Sequence, residues 1–130
     1  MPEQVYGFGK VVPRPYAEVL EQTRAALKEE GFGVITEIDV EVTMRHKLGV
    51  EFGPYTILGA CSPRHANEVL STDPEMGIFL PCNVLVYATG GGTRVTAVDA
   101  RAMMTMSGAA GLEEVATAVD TGLRRAIDRL

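Results

Sequence analysis

The sequence predicts an α+β fold, and three features carry that expectation. Two long stretches, Pro15 to Glu30 and Gly111 to Leu130, repeat apolar residues at three- and four-residue spacing, as helices packed by one face do. Short runs between them alternate in polarity or are rich in β-branched and aromatic residues, which suits strands. Tight turns join some of these runs, so the sheet is expected to be mainly antiparallel, with both long helices against one face.

A chain of 130 residues suits a single domain, 1–130, with a proper core. Its 46% apolar and 22% charged residues are ordinary for a globular protein, and no run approaches the ~18 apolar residues of a membrane helix. Acidic residues outnumber basic ones, 17 to 12, and the Lys and Arg are scattered. The electrostatic footprint of a nucleic-acid binder is therefore missing, and none is expected as a partner. Met-Pro-Glu-Gln-Val at the start has neither the basic nor the apolar segment of a secretory signal, so a cytoplasmic location with reduced cysteines is expected.

Val5 to Val12 reads as the first strand, with Tyr6, Phe8 and Val12 on one face and Gly7 and Gly9 on the other. Pro13-Arg14-Pro15 breaks it and primes the first long helix, whose apolar stripe is Tyr16, Val19, Leu20, Thr23 and Leu27 and whose C-terminal stop is Gly31. Phe32 to Val40 alternates, so Phe32, Val34, Ile38 and Val40 are expected to face the core and Glu37 and Asp39 to face water. Asp39 is placed to cap a short helix running through Leu48 to Gly49, with Val40, Met44 and Leu48 on one side and a basic tip, Arg45-His46-Lys47, that reads first as a solvated face.

Tyr55 to Cys61 alternates as a strand, and Ser62-Pro63 then supplies a capping hydroxyl and a first-turn proline for a short helix carrying Ala66, Val69 and Leu70. That helix ends before Asp73-Pro74, because the residue preceding a proline is pushed out of the α region, and Asp73 to Gly77 is a turn. Ile78 to Ala88 is apolar enough for a buried strand, interrupted by a bulge or edge at Pro81-Cys82-Asn83. Thr89-Gly90-Gly91-Gly92-Thr93 is a hairpin turn into a strand from Arg94 to Asp99. Arg101 to Gly108, with Met103, Met104 and Met106, has no clean secondary-structure pattern, and its methionines read first as adaptable packing.

The stretch Tyr55 to Tyr87 holds both cysteines and the two most strand-like runs. Within it stand Gly59-Ala60-Cys61-Ser62-Pro63 and Gly77-Ile78-Phe79-Leu80-Pro81-Cys82-Asn83-Val84. In these residues the chain resembles the prokaryotic domain-of-unknown-function family 302, whose pattern is a strand ending in a Cys-Asn-Pro-like corner, a short helix and a strand containing Leu-Pro-Cys-Asn-Val. The resemblance extends to Lys47-Leu48-Gly49 upstream and to Asp99 and Met103 downstream. Ser62 stands where the family usually has Asn, and Ala100 where it commonly has Pro. The resemblance implies a compact domain similar to the TATA-box-protein-like folds, in β-α-β(4)-α order; it implies no activity, and DNA binding does not travel with a topology.

Three functional classes follow. The first is a small-molecule-binding module with a pocket near Cys61, Ser62, Pro81, Cys82, Asn83 and Met103. The second is thiol or soft-metal chemistry at Cys61, Cys82, Met103, Met104 and Met106, since thiolates and thioethers suit Cu(I). The third is an interaction protein that works as a homodimer, because the strand Ile78 to Ala88 is apolar at nearly every position and needs burial on both faces. The simplest role of the two cysteines is packing, and they are expected to be reduced, largely buried and close to Pro81 and Asn83 without being bonded to each other. His46 and His65 match no zinc spacing, no motif names a cofactor, and no catalytic motif is present.

Overall fold

The computed structural model describes residues 6–130, so Val5, expected in the first strand, lies outside the described residues. Strands β1 (Gly7–Val12), β2 (Gly33–Asp39), β3 (Tyr55–Cys61), β4 (Cys82–Thr89) and β5 (Gly92–Val98) form one sheet in the order β1-β5-β4-β3-β2, and every pairing is antiparallel. The long helices α1 (Tyr16–Glu29) and, at the C-terminal end, Glu113–Asp128 lie against one face, over buried Val12, Leu58, Ala60, Val84, Val86, Val95 and Ala97. The fold is thus α+β, with short helices in the connections.

α1 ends as its sequence requires. Gly31 has φ of 85°, the Gly31 N–H donates to the Lys28 carbonyl at 3.0 Å, and the Phe32 N–H donates to the Leu27 carbonyl at 2.9 Å. A left-handed glycine closed by these two bonds is the Schellman ending, and it drops Phe32 beside Leu27 in the core. Next comes α2 (Val40–Leu48), capped by the Asp39 carboxylate on the Val42 N–H at 3.0 Å and stopped by left-handed Gly49. Its Val40 is buried, but Leu48, expected on the same apolar side, is exposed.

The alternation expected along β2 breaks at a bulge between Val34 and Thr36. Val34 pairs with Ala60, but after the extra residue Glu37 pairs with Leu58 and Ile38 with Ile57. Side chains alternate strictly, so one inserted residue exchanges the two faces for the rest of the strand. Glu37 therefore turns to the helix-covered face, and Ile38, expected inside, is 49% exposed on the other. β2 can tolerate this because it is an edge strand.

After β3 and α3 (Pro63–Thr72) the chain forms a 3₁₀ helix, Pro74–Phe79, entered through Asp73, whose carboxylate accepts the Glu75 N–H at 3.0 Å. The strand expected from Ile78 begins only at Cys82, and Ile78 is exposed. Pro81, joined to Leu80 by a cis peptide bond, precedes the strand and so removes no ladder donor from β4. The expected interruption is instead a strand start, and Cys82 to Thr89 is unbroken and central in the sheet.

The methionine segment is also ordered, as helix α4 (Ala100–Ser107). Asp99 accepts the Ala102 N–H at 2.9 Å, and Gly108 ends the helix with φ of 70°. The C-terminal helix α5 (Glu113–Asp128) follows, and its Gly122 lies so near the Phe32 ring that a Cβ there would come within 2.7 Å of it. No helix among the described residues is long and apolar enough to cross a membrane.

Candidate functional site

The β3–β4 ladder sets the site's geometry. It puts Ala60 opposite Cys82 and Gly59 opposite Asn83. Ala60 and Cys82 therefore share the helix-covered face, where both are buried, whereas Asn83 points to the other face and is exposed. Cys61 is the next residue after Ala60, at the very end of β3, and is half-buried.

Around this corner lies a pocket of about 320 Å³. Ala60 and Cys82 belong to its sheet wall, Val69 comes from α3, Met104 from α4 and Val119 from α5. Ile35, at the β2 bulge, and Leu70 line it while remaining exposed, so they mark its open side. No Asp, Glu, Lys or Arg lines it, and the polar side chains on its wall, apart from the two thiols, are Ser62 and His65.

Those two residues meet. Ser62 Oγ and His65 Nδ1 lie 2.8 Å apart. The Ser62 hydroxyl, expected to cap α3, makes no bond to the helix N–H groups; Pro63 does occupy the first turn as expected. A residue three positions along a helix stands on the same face as the one before it, which brings the imidazole round to the serine.

The structure thus brings together Cys61, Ser62, Pro81 and Cys82 of the residues singled out by sequence. Asn83 and Met103 lie outside the pocket, and Met106 is 73% exposed; Met104, singled out only as a metal candidate, lines it. His65 fits no zinc spacing and so does not stand out as a ligand, although its place three residues after Ser62, at a helix start visible in the sequence, is the signal that points to it. Phe32 and Ile35 come from 26 or more residues upstream of Cys61, so no local pattern could have shown them.

Both cysteines are free thiols. Burial pushes the Cys82 pKa up to about 11, with nearby Cys61 adding to the effect. A thiol held neutral in this way is a poor nucleophile and an unready metal ligand, because both roles need the thiolate. Among the described residues no group of three or more His, Cys, Asp or Glu side chains is arranged to hold a metal ion. The soft-ligand set at the pocket is therefore Cys61, Cys82 and Met104 alone.

No functionally curated protein matches the chain. The crystal structure of an uncharacterized conserved DUF302 protein from Bacillus stearothermophilus is 30% identical, spans 97% of this chain and 98% of its own, and superposes with a TM-score of 0.88. A family described as a domain of unknown function, DUF302, matches residues 8–130. With nearly its whole length covered by both likenesses, the chain belongs to the DUF302 family.

Proposed function

We propose that this protein is a binding module for a small, largely apolar molecule held in the pocket at the β3–β4 corner. The observation that carries this reading is the pocket itself: about 320 Å³, without a charged side chain on its wall, and lined by Cys61, Ser62, Pro81 and Cys82 at the β3–β4 corner. That size is at the lower end for small-molecule sites, which are mostly apolar with a few placed polar groups. The test is to extract the purified native protein and identify what comes off by mass spectrometry, beside an Ala66→Trp variant whose indole fills the pocket. A near-stoichiometric apolar compound in the wild type that is absent from the variant is the expected result. The reading fails if the extract is empty and no apolar compound raises the melting temperature of the wild type above that of the variant.

A second reading, self-association, is favoured by the opposite face of the sheet. Ile38, Ile57, Leu85 and the stacked pair Tyr55 and Tyr87, ring centroids 5.0 Å apart, lie on it, and Arg94 is its one charged residue among the five strands. We infer that a second copy covers this face, because an isologous contact places apolar residues of one sheet on those of the other with almost no charge to desolvate. Light scattering is expected to give a dimer mass for the wild type and a monomer mass for Leu85→Lys. A wild type that stays monomeric at high micromolar concentration removes this reading.

A further inference from the structure

The pocket has a chemical polarity. Its wall is apolar and uncharged except at one corner, where Ser62 and His65 hold each other at 2.8 Å at the start of α3. Ser62 is spared from capping for this contact, and it engages only one nitrogen of the ring. Nδ1 is thereby occupied and Nε2 has no partner among the described residues, yet His65 is only half-buried, so that nitrogen is open to water or to a ligand.

We propose that the pocket takes an amphiphile: an apolar body ending in one hydrogen-bonding oxygen group, a hydroxyl or a carboxylate, that His65 binds through Nε2 while Ser62 fixes the ring. This rests on the pocket reading above and names the class of ligand. The physical reason is the cost of the alternative. A ligand apolar at both ends that covers the ring strips water from its free nitrogen and gives nothing back, because a polar group taken from water without a partner is penalised. A ligand with several charges is disfavoured just as firmly, since no charged side chain lines the wall to repay its desolvation. One polar head with an apolar tail satisfies both ends. The Ser62–His65 bond also holds the imidazole in one orientation before the ligand arrives, which lowers the ordering cost of binding.

Hexanol, hexanoate and hexane serve as probes, titrated into the full chain by protein-detected NMR, with wild type, His65→Ala, Ser62→Ala and Ile35→Trp compared. Ile35 is exposed at the open side of the pocket, so its replacement blocks entry without disturbing the core. The wild type is expected to bind hexanol or hexanoate more tightly than hexane. His65→Ala should weaken the headed probe up to about tenfold, the equivalent of about 1.4 kcal/mol, while leaving hexane unchanged. Ser62→Ala should weaken it less, and Ile35→Trp should abolish binding of all three. Equal loss of hexane and the headed probes in His65→Ala would mean that the ring only packs, and would overturn the proposal. Unchanged affinities in His65→Ala with loss in Ile35→Trp would sink the polar anchor but keep the pocket reading. Binding that survives Ile35→Trp, or no binding of any probe by the wild type, would sink both.

Discussion

Arg24 of α1 holds Glu37 of β2 in a forked ion pair on the helix-covered side of the sheet, with Nη2 3.0 Å from Oε2. Without the bulge at Ile35 this carboxylate would point to the opposite face, so the pair reports the bulge. The Arg24 hydrogen bond is the main reason that the Glu37 carboxyl sits below its ordinary pKa, and burial opposes it only in part. A depressed carboxylate adds stability in full above its unfolded pKa and loses it as pH falls through the lower folded value. Glu37→Gln is therefore expected to lower the urea midpoint at neutral pH and to make no difference in strong acid. Because both side chains are partly exposed, the effect should be no more than about 1 kcal/mol. Equal destabilisation by the substitution at both pH values would show that the charge is not the cause.

Gly59 is expected to reject a side chain. A Cβ there would collide with Thr36 Oγ1 and stand 2.8 Å from the Pro81 ring, and the ring, unlike the hydroxyl, cannot rotate away. Gly59→Ala should cost roughly 1–3 kcal/mol by overpacking. Adding Thr36→Ala should restore only part of that loss, since Pro81 remains. Chemical denaturation of the wild type and the two variants measures this, and full recovery in the double variant would show that Pro81 does not crowd the site.

The thiols should differ in reactivity. With its pKa raised to about 11, Cys82 carries almost no thiolate near neutral pH and is 6% exposed, whereas Cys61 is half-buried at the pocket. A maleimide added to native protein is expected to label Cys61 and to reach Cys82 only on unfolding. Stability should be unaffected by Cys82 below its unfolded pKa, about 8.5, and should fall as pH rises from there toward the folded value. Cys82→Ala should remove that alkaline loss. Fast native labelling of Cys82, read by peptide mass mapping, would contradict the burial.

Asp99 joins two elements. Its Oδ1 caps α4, and its Oδ2 lies 3.6 Å from Arg124 Nη2 on α5, whose guanidinium also covers the Phe8 ring at 4.0 Å and binds Asp120. Asp99→Ala is expected to cost about 0.5–2 kcal/mol, mostly as a lost helix cap. Asp99→Asn keeps an acceptor for the Ala102 N–H and should retain most of the stability. If the two variants are equally destabilised, the ion pair with Arg124 matters more than the cap.

The sequence by itself determined the elements whose signals are local. Both long helices, the Asp39 cap, the Gly31 and Gly49 stops, the alternation of Tyr55 to Cys61 and the glycine hairpin before β5 are written in neighbouring residues, because backbone conformation at a turn or cap depends on the few side chains that can reach it. The same holds for α4, whose cap Asp99 and stop Gly108 were present but hidden by the unusual run of methionines between them. Tertiary structure alone decided three things. The bulge in β2 depends on how that strand is accommodated against β3, and it reversed the faces of Glu37 and Ile38. The start of β4 at Cys82 rather than Ile78 depends on where β3 ends, since a strand extends only as far as it has a partner; Ala60 is the last β3 residue paired with it. The pocket needs Phe32, Met104 and Val119 brought beside Cys82 from distant parts of the chain, and a cavity is a property of what packing leaves unfilled, which no single segment encodes.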